Sequence, residues 1–459
     1  MFLKFLTALS DAVFGLPTVA VIICMGIYYS LSLGFIQLKA KTMMKVFKRS
    51  LKGSAFSACA TSLAATVGTG SVVGVAMAIS LGGAGAIFWM WVSAFFGMAL
   101  AYAEGVLSIK FRVKTQESYQ GGMMYSMEQG LGSRPMGATY ALFATLASLG
   151  MGVMAQTNSA SVSLESEFSL DPKICGIALA ALMAFCVFSK SETVGKICSL
   201  GVPILAASYI LLMLGIIAVN YKSLPEAISS IFAGAFGIRP IIGGGVGYTV
   251  KVALTQGIRR GVFSNEAGLG TTAAIHAGAK NITPREQGYM NMFEVFVDTF
   301  VICTLTALAI LSSGADISSS GVDMLISACE TAFGSLSGGV IAVCVAGFAV
   351  ATAVGWSQIG KSAFLYVTKG KFSGIYNIIY IVCAFLGAIT SLEAVFTLSD
   401  IFNGLMALPC LTALMLLSSH VKREAQSLPV EPKPLIPRSV SSSSSDRHIS
   451  GNITGVTTS

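Results

Sequence analysis

Residues 66–76 read TVGTGSVVGVA, which places three glycines and three hydroxyl side chains at the centre of an apolar stretch that runs from Phe56 to Leu81. Glycine is about 1 kcal/mol less favourable than alanine inside a helix. Serine and threonine hydroxyls compete with the backbone for hydrogen bonds. A helix that crosses a bilayer gains no stability from such residues at its midpoint, so this stretch predicts an interrupted helix.

The composition shows what kind of chain contains this interruption. Of the 459 residues, 54% are hydrophobic and 11% are charged, whereas soluble proteins carry roughly 25% charged residues. Mean hydropathy is +0.76, and mostly apolar runs long enough to cross about 30 Å of hydrocarbon recur along the chain. The sequence therefore predicts an all-α polytopic membrane protein. The lysines and arginines lie between the apolar runs, so the net charge of +8 does not indicate a nucleic-acid partner.

The apolar runs predict about eleven transmembrane helices. One alternate set of loops is rich in lysine and arginine, whereas the opposite set has few and includes a 313–337 loop with three acidic residues. The positive-inside rule then places the N-terminus outside and the C-terminus in the cytoplasm, in the cell (inner) membrane. The predicted crossings are 14–36, 56–81, 84–108, 137–161, 174–189, 196–219, 241–279, 287–312, 339–367, 374–391 and 397–419.

These crossings suggest five regions along the chain. They are an extra N-terminal helix with a basic loop over 1–55, a first group of five helices over 56–219, an external interfacial helix over 220–240, a second group of five over 241–420, and a disordered tail over 421–459. The ten cysteines stand singly without a CxxC motif, and there are only three histidines. We therefore expect free thiols and no transition-metal site.

A second polar interruption, GIRRGVFSNEAGLGTT at 257–272, lies five crossings after the first. In a bilayer, freed backbone groups are tolerated only against protein or in a water-filled cavity. Two breaks in opposite orientations match the inverted-repeat plan of secondary transporters, in which the breaks form the binding site. The alternative is a face for close helix packing, as GVAMAISLGGAG at 74–85 suggests. The second break carries Asn265 and Glu266 at membrane depth, which favours a binding site.

Long blocks around both breaks resemble a known family. AATVGTGSVVGVAMAISLGGAGAIFWMWVSAFFGMALAYAEGVLSIKFR at 64–112 and GIRRGVFSNEAGLGTTAAIHAGAK at 257–280 are similar to signature stretches of the alanine or glycine:cation symporter family, and the resemblance covers about 15–420. It implies a LeuT-like fold of the APC superfamily, in which one extra N-terminal helix precedes a 5+5 inverted repeat. It also implies import of alanine, glycine and, as a further candidate, D-alanine. The coupling ion would be Na⁺ or, in the alternative, H⁺, with no covalently bound cofactor.

The resemblance also assigns residues to a site at the two breaks. Backbone amides at the first break would meet the substrate carboxylate, carbonyls at the second would meet its ammonium group, and a tryptophan would limit side-chain size. The implied substrate-binding residues are Thr69, Gly70, Ser71, Asn158, Phe263, Ser264, Asn265 and Trp356. The implied cation ligands are Ala65, Val67, Gly68 and Thr352.

Charged residues within the crossings need partners, because a bare charge at membrane depth is costly. We expect Glu104 to pair with a basic residue, with proton coupling as the alternative. Asp298 is expected to serve either as a hydrogen-bonding hub or in ion coupling. Arg259 and Arg260 are expected to pair with Glu266, with gating as the alternative. Asp400 is expected to cap a helix N-terminus.

No nucleophile–base pair, P-loop or metal cluster indicates an enzyme. A channel with a glycine-rich filter and an amino-acid sensor remain as rival hypotheses. Saturable uptake would distinguish a transporter from a channel, and accumulation in vesicles would distinguish it from a sensor.

One departure from the family pattern yields a test. Many members have serine just before the threonine of the cation site, but this chain has Ala351 before Thr352. Because Na⁺ prefers several oxygen ligands, Ala351→Ser is expected to strengthen Na⁺ dependence, lowering the half-saturating Na⁺ concentration about fivefold if one ligand contributes about 1 kcal/mol. Uptake measured against Na⁺ concentration tests this, and an unaltered ion response would contradict it.

Overall fold

The computed structural model describes residues 2–50, 62–63, 66, 68–114, 119–189, 191–237, 250–279, 281–317, 319, 321–335 and 337–427, with the backbone alone for 2 and 191–200. Within this part of the chain the regular secondary structure is helical apart from one short antiparallel hairpin, β1 (Val113–Lys114) with β2 (Tyr119–Gln120). The helices are α1 Phe2–Val13, α2 Leu16–Ser32, α3 Ala40–Ser50, α4 Thr69–Gly82, α5 Gly85–Lys110, α6 Met123–Leu131, α7 Arg134–Phe168, α8 Pro172–Phe188, α9 Ser191–Val219, α10 Leu224–Phe236, α11 Val250–Asn265, α12 Thr272–His276, α13 Pro284–Ser313, α14 Val322–Phe333, α15 Ser337–Val367, α16 Ser373–Ile389, α17 Leu392–Leu416 and α18 Ser418–Gln426.

Local sequence signals explain where several helices begin. Asp171 caps α8 by accepting a hydrogen bond from the Lys173 amide at 2.7 Å, and proline occupies the first helical position. Thr283 and Glu286 form a reciprocal capping box at the start of α13. Two helices contain a wider π-helical segment, Ser148–Met154 in α7 and Phe296–Cys303 in α13.

Seven described helices are long and apolar enough to cross a membrane. These spans are Leu3–Ser32, which covers α1 and α2, then α5, α7, the Gly201–Val219 part of α9, α13, α15 and α17. Three further apolar helices, α4, α8 and α16, are shorter. Each predicted crossing overlaps a described helix, which confirms the all-α polytopic class. The 14-residue α4 is only about 21 Å long. It therefore spans part of a bilayer, as an interrupted crossing should.

Glycines allow α5 to cross α10 and α11 closely. A Cβ atom on Gly85 would lie 2.3 Å from the carbonyl carbon of Gly234, and one on Gly257 would lie 2.2 Å from the Ala86 oxygen. Small residues allow transmembrane backbones to approach in this way. Part of the glycine content therefore serves packing, as the alternative interpretation of the sequence proposed.

Two regions outside the crossings can be compared with their predictions. The segment predicted as an interfacial helix contains α10, whose Phe232 and Phe236 rings lie 5.7 and 5.0 Å from the Phe88 ring of α5. The predicted disordered tail was wrong in its first residues, because α18 extends to Gln426. Val421 is fully buried there, and Lys110 pairs with Glu424 at 2.6 Å. Residues 428–459 lie outside the described part of the chain.

Candidate functional site

The first break ends where α4 begins at Thr69. Gly68 is extended, with φ −137° and ψ −151°, and within the described residues no side chain caps the helix. Thr69 instead donates its hydroxyl hydrogen to Gln156 Oε1 at 2.8 Å. The first amides of an α-helix have no intrahelical acceptor, and they form the positive end of the helix dipole. The start of α4 therefore has the character of an anion-binding terminus.

Gly68 also brings the first break against α15. A Cβ atom at this position would lie 2.1 Å from Thr352 Oγ1, so only glycine permits the backbone to approach that hydroxyl. Two of the four implied cation ligands, Gly68 and Thr352, are thereby neighbours. The other two, Ala65 and Val67, lie outside the described residues.

The second break follows α11, which ends at Asn265. Glu266, Gly268 and Gly270 have φ angles of +57°, +89° and +75°, a region that residues with a Cβ rarely adopt. The Gly268 and Gly270 amides donate to Glu104 Oε1 at 2.8 and 3.1 Å. Glu104 thus holds freed backbone donors of the break, and the expected basic partner for it was wrong.

A second carboxylate fixes the same loop from the other side. Glu266 accepts hydrogen bonds from Trp356 Nε1 at 2.9 Å and from the Thr271 hydroxyl. Trp356 is fully buried, and a Cβ on Gly152 would lie 2.8 Å from its Cβ atom. The indole is therefore held by a hydrogen bond at one end and by close packing against α7 at the other.

The two breaks meet each other directly. A Cβ on Gly70 would lie 2.9 Å from Ser264 Cα and 3.4 Å from the Phe263 carbonyl oxygen. Ser71 and Ser264 have their hydroxyl oxygens 3.2 Å apart, and both donate to Asp298 of α13, at 2.5 Å from Ser71 and 2.7–2.9 Å from Ser264. These contacts set the amide end of α4 against the carbonyl end of α11. The carbonyls of a helix's last turn lack intrahelical partners.

Arg260 and Asp400 cover one end of this junction. They form a buried ion pair, and the guanidinium lies 5.3 Å from the Phe263 ring centre and 5.6 Å from that of Phe396. These two rings stack on each other at 5.1 Å. The expected pairing of Arg260 with Glu266 was wrong.

Two further expectations for charged residues were also wrong. Arg259 pairs with Asp11 at 3.0 Å and not with Glu266, and it also donates to the Phe14 carbonyl. Asp400 lies inside α17 and not at its N-terminus, because it supplies the counter-charge for the buried Arg260.

Asn158 also lies on α7, and its side-chain nitrogen contacts α16 rather than either break. Its side-chain amide donates to the carbonyls of Gly387 and Thr390 at the end of α16, at 3.0 and 2.6 Å. Gln156, two positions earlier, contacts Thr69 instead. Residues two apart on a helix do not share a face, so one of the pair reaches the break while the other anchors α16. The substrate role of Asn158 stays a prediction.

The structure thus joins Thr69, Gly70 and Ser71 with Phe263, Ser264 and Asn265, and it places Trp356 one hydrogen bond away. All seven side chains or glycine positions are buried, so the junction is closed to solvent. Sequence reasoning missed Gln156 and the loop-holding roles of Glu104 and Glu266. The available signal was that each is a polar residue within an apolar crossing.

The contact between Gly68 and Thr352 gives a direct test. Gly68→Ala is expected to cost about 1–3 kcal/mol of stability through overpacking, and to remove any thermal stabilisation by Na⁺, since the new methyl displaces the threonine hydroxyl. Gly74→Ala is the matched control, because its Cβ would meet only the Thr69 oxygen at 4.0 Å. Unfolding temperature in detergent with Na⁺ or choline measures both. A Na⁺ response that persists in Gly68→Ala would contradict the arrangement.

Comparison with solved structures supports the same architecture. A crystal structure of MhsT in complex with L-phenylalanine superposes with a TM-score of 0.60 at 12% sequence identity, covering 81% of this chain and 92% of that chain. At this identity the likeness concerns the fold alone, and that fold is the LeuT fold.

Sequence comparison gives the family. The model of the sodium:alanine symporter family matches residues 1–431. The sodium/alanine symporter AgcS of Methanococcus maripaludis is 37% identical over 93% of this chain and 97% of its own length. The amino-acid carrier protein AlsT of Bacillus subtilis is 34% identical over 87% of this chain and 86% of its own. The chain therefore belongs to the sodium:alanine symporter family, and it is a sodium-coupled amino-acid symporter of the membrane, not an enzyme.

Proposed function

We propose that this symporter imports alanine and glycine, with D-alanine as a further candidate, by alternating access around the junction of the two breaks. The observation that carries this proposal is the contact of Gly70 with Ser264 and Phe263. It sets the uncapped amide end of α4 against the carbonyl end of α11. A zwitterion needs this pairing, since amides suit its carboxylate and carbonyls suit its ammonium group.

The proposed carboxylate site is the first turn of α4, at Thr69, Gly70 and Ser71. The proposed ammonium site is the last turn of α11, at Phe263, Ser264 and Asn265. Gln156 and Asn158 support this pocket from α7. Gln156 accepts the Thr69 hydroxyl. Asn158 Oδ1 is buried without a hydrogen-bond partner among the described residues, and we assign it to the substrate ammonium group.

Preference for a small side chain follows from the walls of the junction. Trp356 is fixed between Glu266 and Gly152, and Phe263 is fixed against Phe396. A pocket discriminates a missing methylene by only about 1–3 kcal/mol. Exclusion by rigid aromatic walls is therefore the effective way to favour glycine and alanine over larger amino acids.

The proposed Na⁺ site combines the backbone at Ala65, Val67 and Gly68 with the Thr352 hydroxyl. The short separation between Gly68 and Thr352 supports it. Proton coupling is the second candidate, because Ala351 removes a hydroxyl from this site and three buried carboxyl groups, Glu104, Glu266 and Asp298, surround the breaks.

Alternating access requires closures on both sides of the site. Arg260, which pairs with Asp400, precedes the loop that follows α11. His276 comes after that loop, and its ring nitrogen lies 3.0 Å from an oxygen of the buried Glu294. We assign these pairs to opposite gates. With the N-terminus outside and the C-terminus in the cytoplasm, as the loop charges predict, amino acid would enter from the Arg260 side.

Counterflow of labelled alanine and glycine in liposomes, under imposed Na⁺ or pH gradients, tests the substrate and the ion together. Saturable exchange and accumulation against a gradient are expected, whereas ohmic current would indicate a channel and binding without accumulation would indicate a sensor. Acceleration by a pH gradient alone would favour proton coupling.

Ser71→Leu is the variant that tests the pocket. Its isobutyl group would fill the junction next to Ser264, so the affinity for alanine should fall at least about tenfold. Thr412→Leu is the control, because Thr412 is an exposed residue on α17. Unchanged affinity in Ser71→Leu would refute the pocket while leaving the family assignment intact.

A further inference from the structure

Asp298 contacts both broken crossings at the point where the start of α4 meets the end of α11. It lies in the π-helical segment Phe296–Cys303 of α13 and is fully buried. The wider turn of a π segment re-aims side chains and is frequent at functional sites. Here it directs a carboxylate to the point where Ser71 at the start of α4 and Ser264 near the end of α11 lie 3.2 Å apart.

The cluster around Asp298 contains more oxygen atoms that can accept hydrogen bonds than hydroxyl hydrogens that can donate them. Besides Ser71 and Ser264, the Thr299 hydroxyl lies 3.0 Å from Oδ2. Each hydroxyl has one hydrogen and two lone pairs, so with the carboxylate ionised, five oxygen atoms share three hydrogens. The Ser264 oxygen lies within 2.7–3.2 Å of both carboxylate oxygens and of Ser71 Oγ, and its single hydrogen cannot serve all three contacts.

The nearby arginines do not neutralise this carboxylate. Among the described residues, its hydrogen-bond partners are hydroxyls and the Cys303 thiol, none of which carries a positive charge. Arg259 and Arg260 of α11 are engaged by Asp11 and Asp400. An unpaired ionised carboxylate in a membrane interior is costly.

We propose that Asp298 with the hydroxyls of Ser71, Ser264 and Thr299 forms a second coupling site, which takes up one positive charge, as Na⁺ or as a proton, in each transport cycle. This site is separate from the one at Gly68 and Thr352, and the inference rests on the proposed symport of alanine. A small hard cation suits carboxylate and hydroxyl oxygens. A proton would instead bind one carboxylate oxygen and return the missing hydrogen to the cluster.

The groups that face this site determine what a titration would report. Cys303 on the same helix lies 3.9 Å from Asp298 Oδ2. From the second break, Glu266 has its oxygens held by Trp356 and Thr271. The charged residue that α5 presents to this region, Glu104, is directed at Gly268 and Gly270. Neutralisation of Asp298 would therefore change hydrogen bonds at both breaks.

The test measures the charge moved per alanine, from reversal potentials and labelled flux in proteoliposomes, for the wild type and Asp298→Asn. The variant is expected to move one positive charge fewer per alanine while still exchanging alanine at equal concentrations on both sides. Repeating the measurement with a Na⁺ gradient at constant pH, and with a pH gradient in choline, identifies the ion from the component that is lost. Glu330→Gln, which removes an exposed carboxylate on α14, is the matched control.

The outcomes separate this site from the proposed function. An unchanged ratio of charge to alanine in Asp298→Asn would overturn the second site. Loss of alanine-induced thermal stabilisation in the same variant would also overturn it, because Asp298 would then bind the substrate ammonium group. Absence of alanine transport in the wild type would instead refute the proposed function. If Asp298→Asn does not fold, Ser264→Ala, which keeps the carboxylate, is expected to keep the charge ratio but need more ion for half-saturation. A lower charge ratio in Ser264→Ala would overturn the proposal.

Discussion

The hydrogen bonds that Ser71 and Ser264 donate to Asp298 are the contacts on which the rest of the structure depends. Hydrocarbon offers no partners to freed backbone groups, so a helix can be interrupted at membrane depth only where protein supplies them. Here one interrupted crossing faces the other, amide end against carbonyl end, with the Asp298 carboxylate contacting both where they meet. The positive end of the α4 helix dipole and the negative end of the α11 helix dipole thereby lie together at one buried position.

Buried carboxylates stabilise the second interruption. Glu104 accepts from the Gly268 and Gly270 amides, and Glu266 from Trp356 and Thr271. These contacts tie the loop to α5 and α15. Under the proposed alternating access, this loop would form a fixed part of the site between the two proposed gates.

The sequence located both breaks, because clustered glycines with hydroxyl or amide residues have no stabilising role at the centre of a membrane helix. It also identified the residues that meet there, Gly70 and Ser264 among them. The partners of the charged residues were not predictable, since they join positions far apart in the chain: Arg260 and Asp400 are 140 residues apart, and Glu104 and Gly268 are 164 apart. The choice between Gln156 and Asn158 depended on helix rotation, which only tertiary packing fixes.

Cross-linking of the two breaks tests the central claim most directly. In a Cys303→Ala background, Ser71→Cys with Ser264→Cys places two thiols where hydroxyl oxygens lie 3.2 Å apart. The account predicts that mercuric ion or mild oxidant joins them, that each single variant stays unlinked, and that saturating alanine slows the reaction. Two thiols that never react together, while both react singly with a small alkylating reagent, would show that the breaks do not meet.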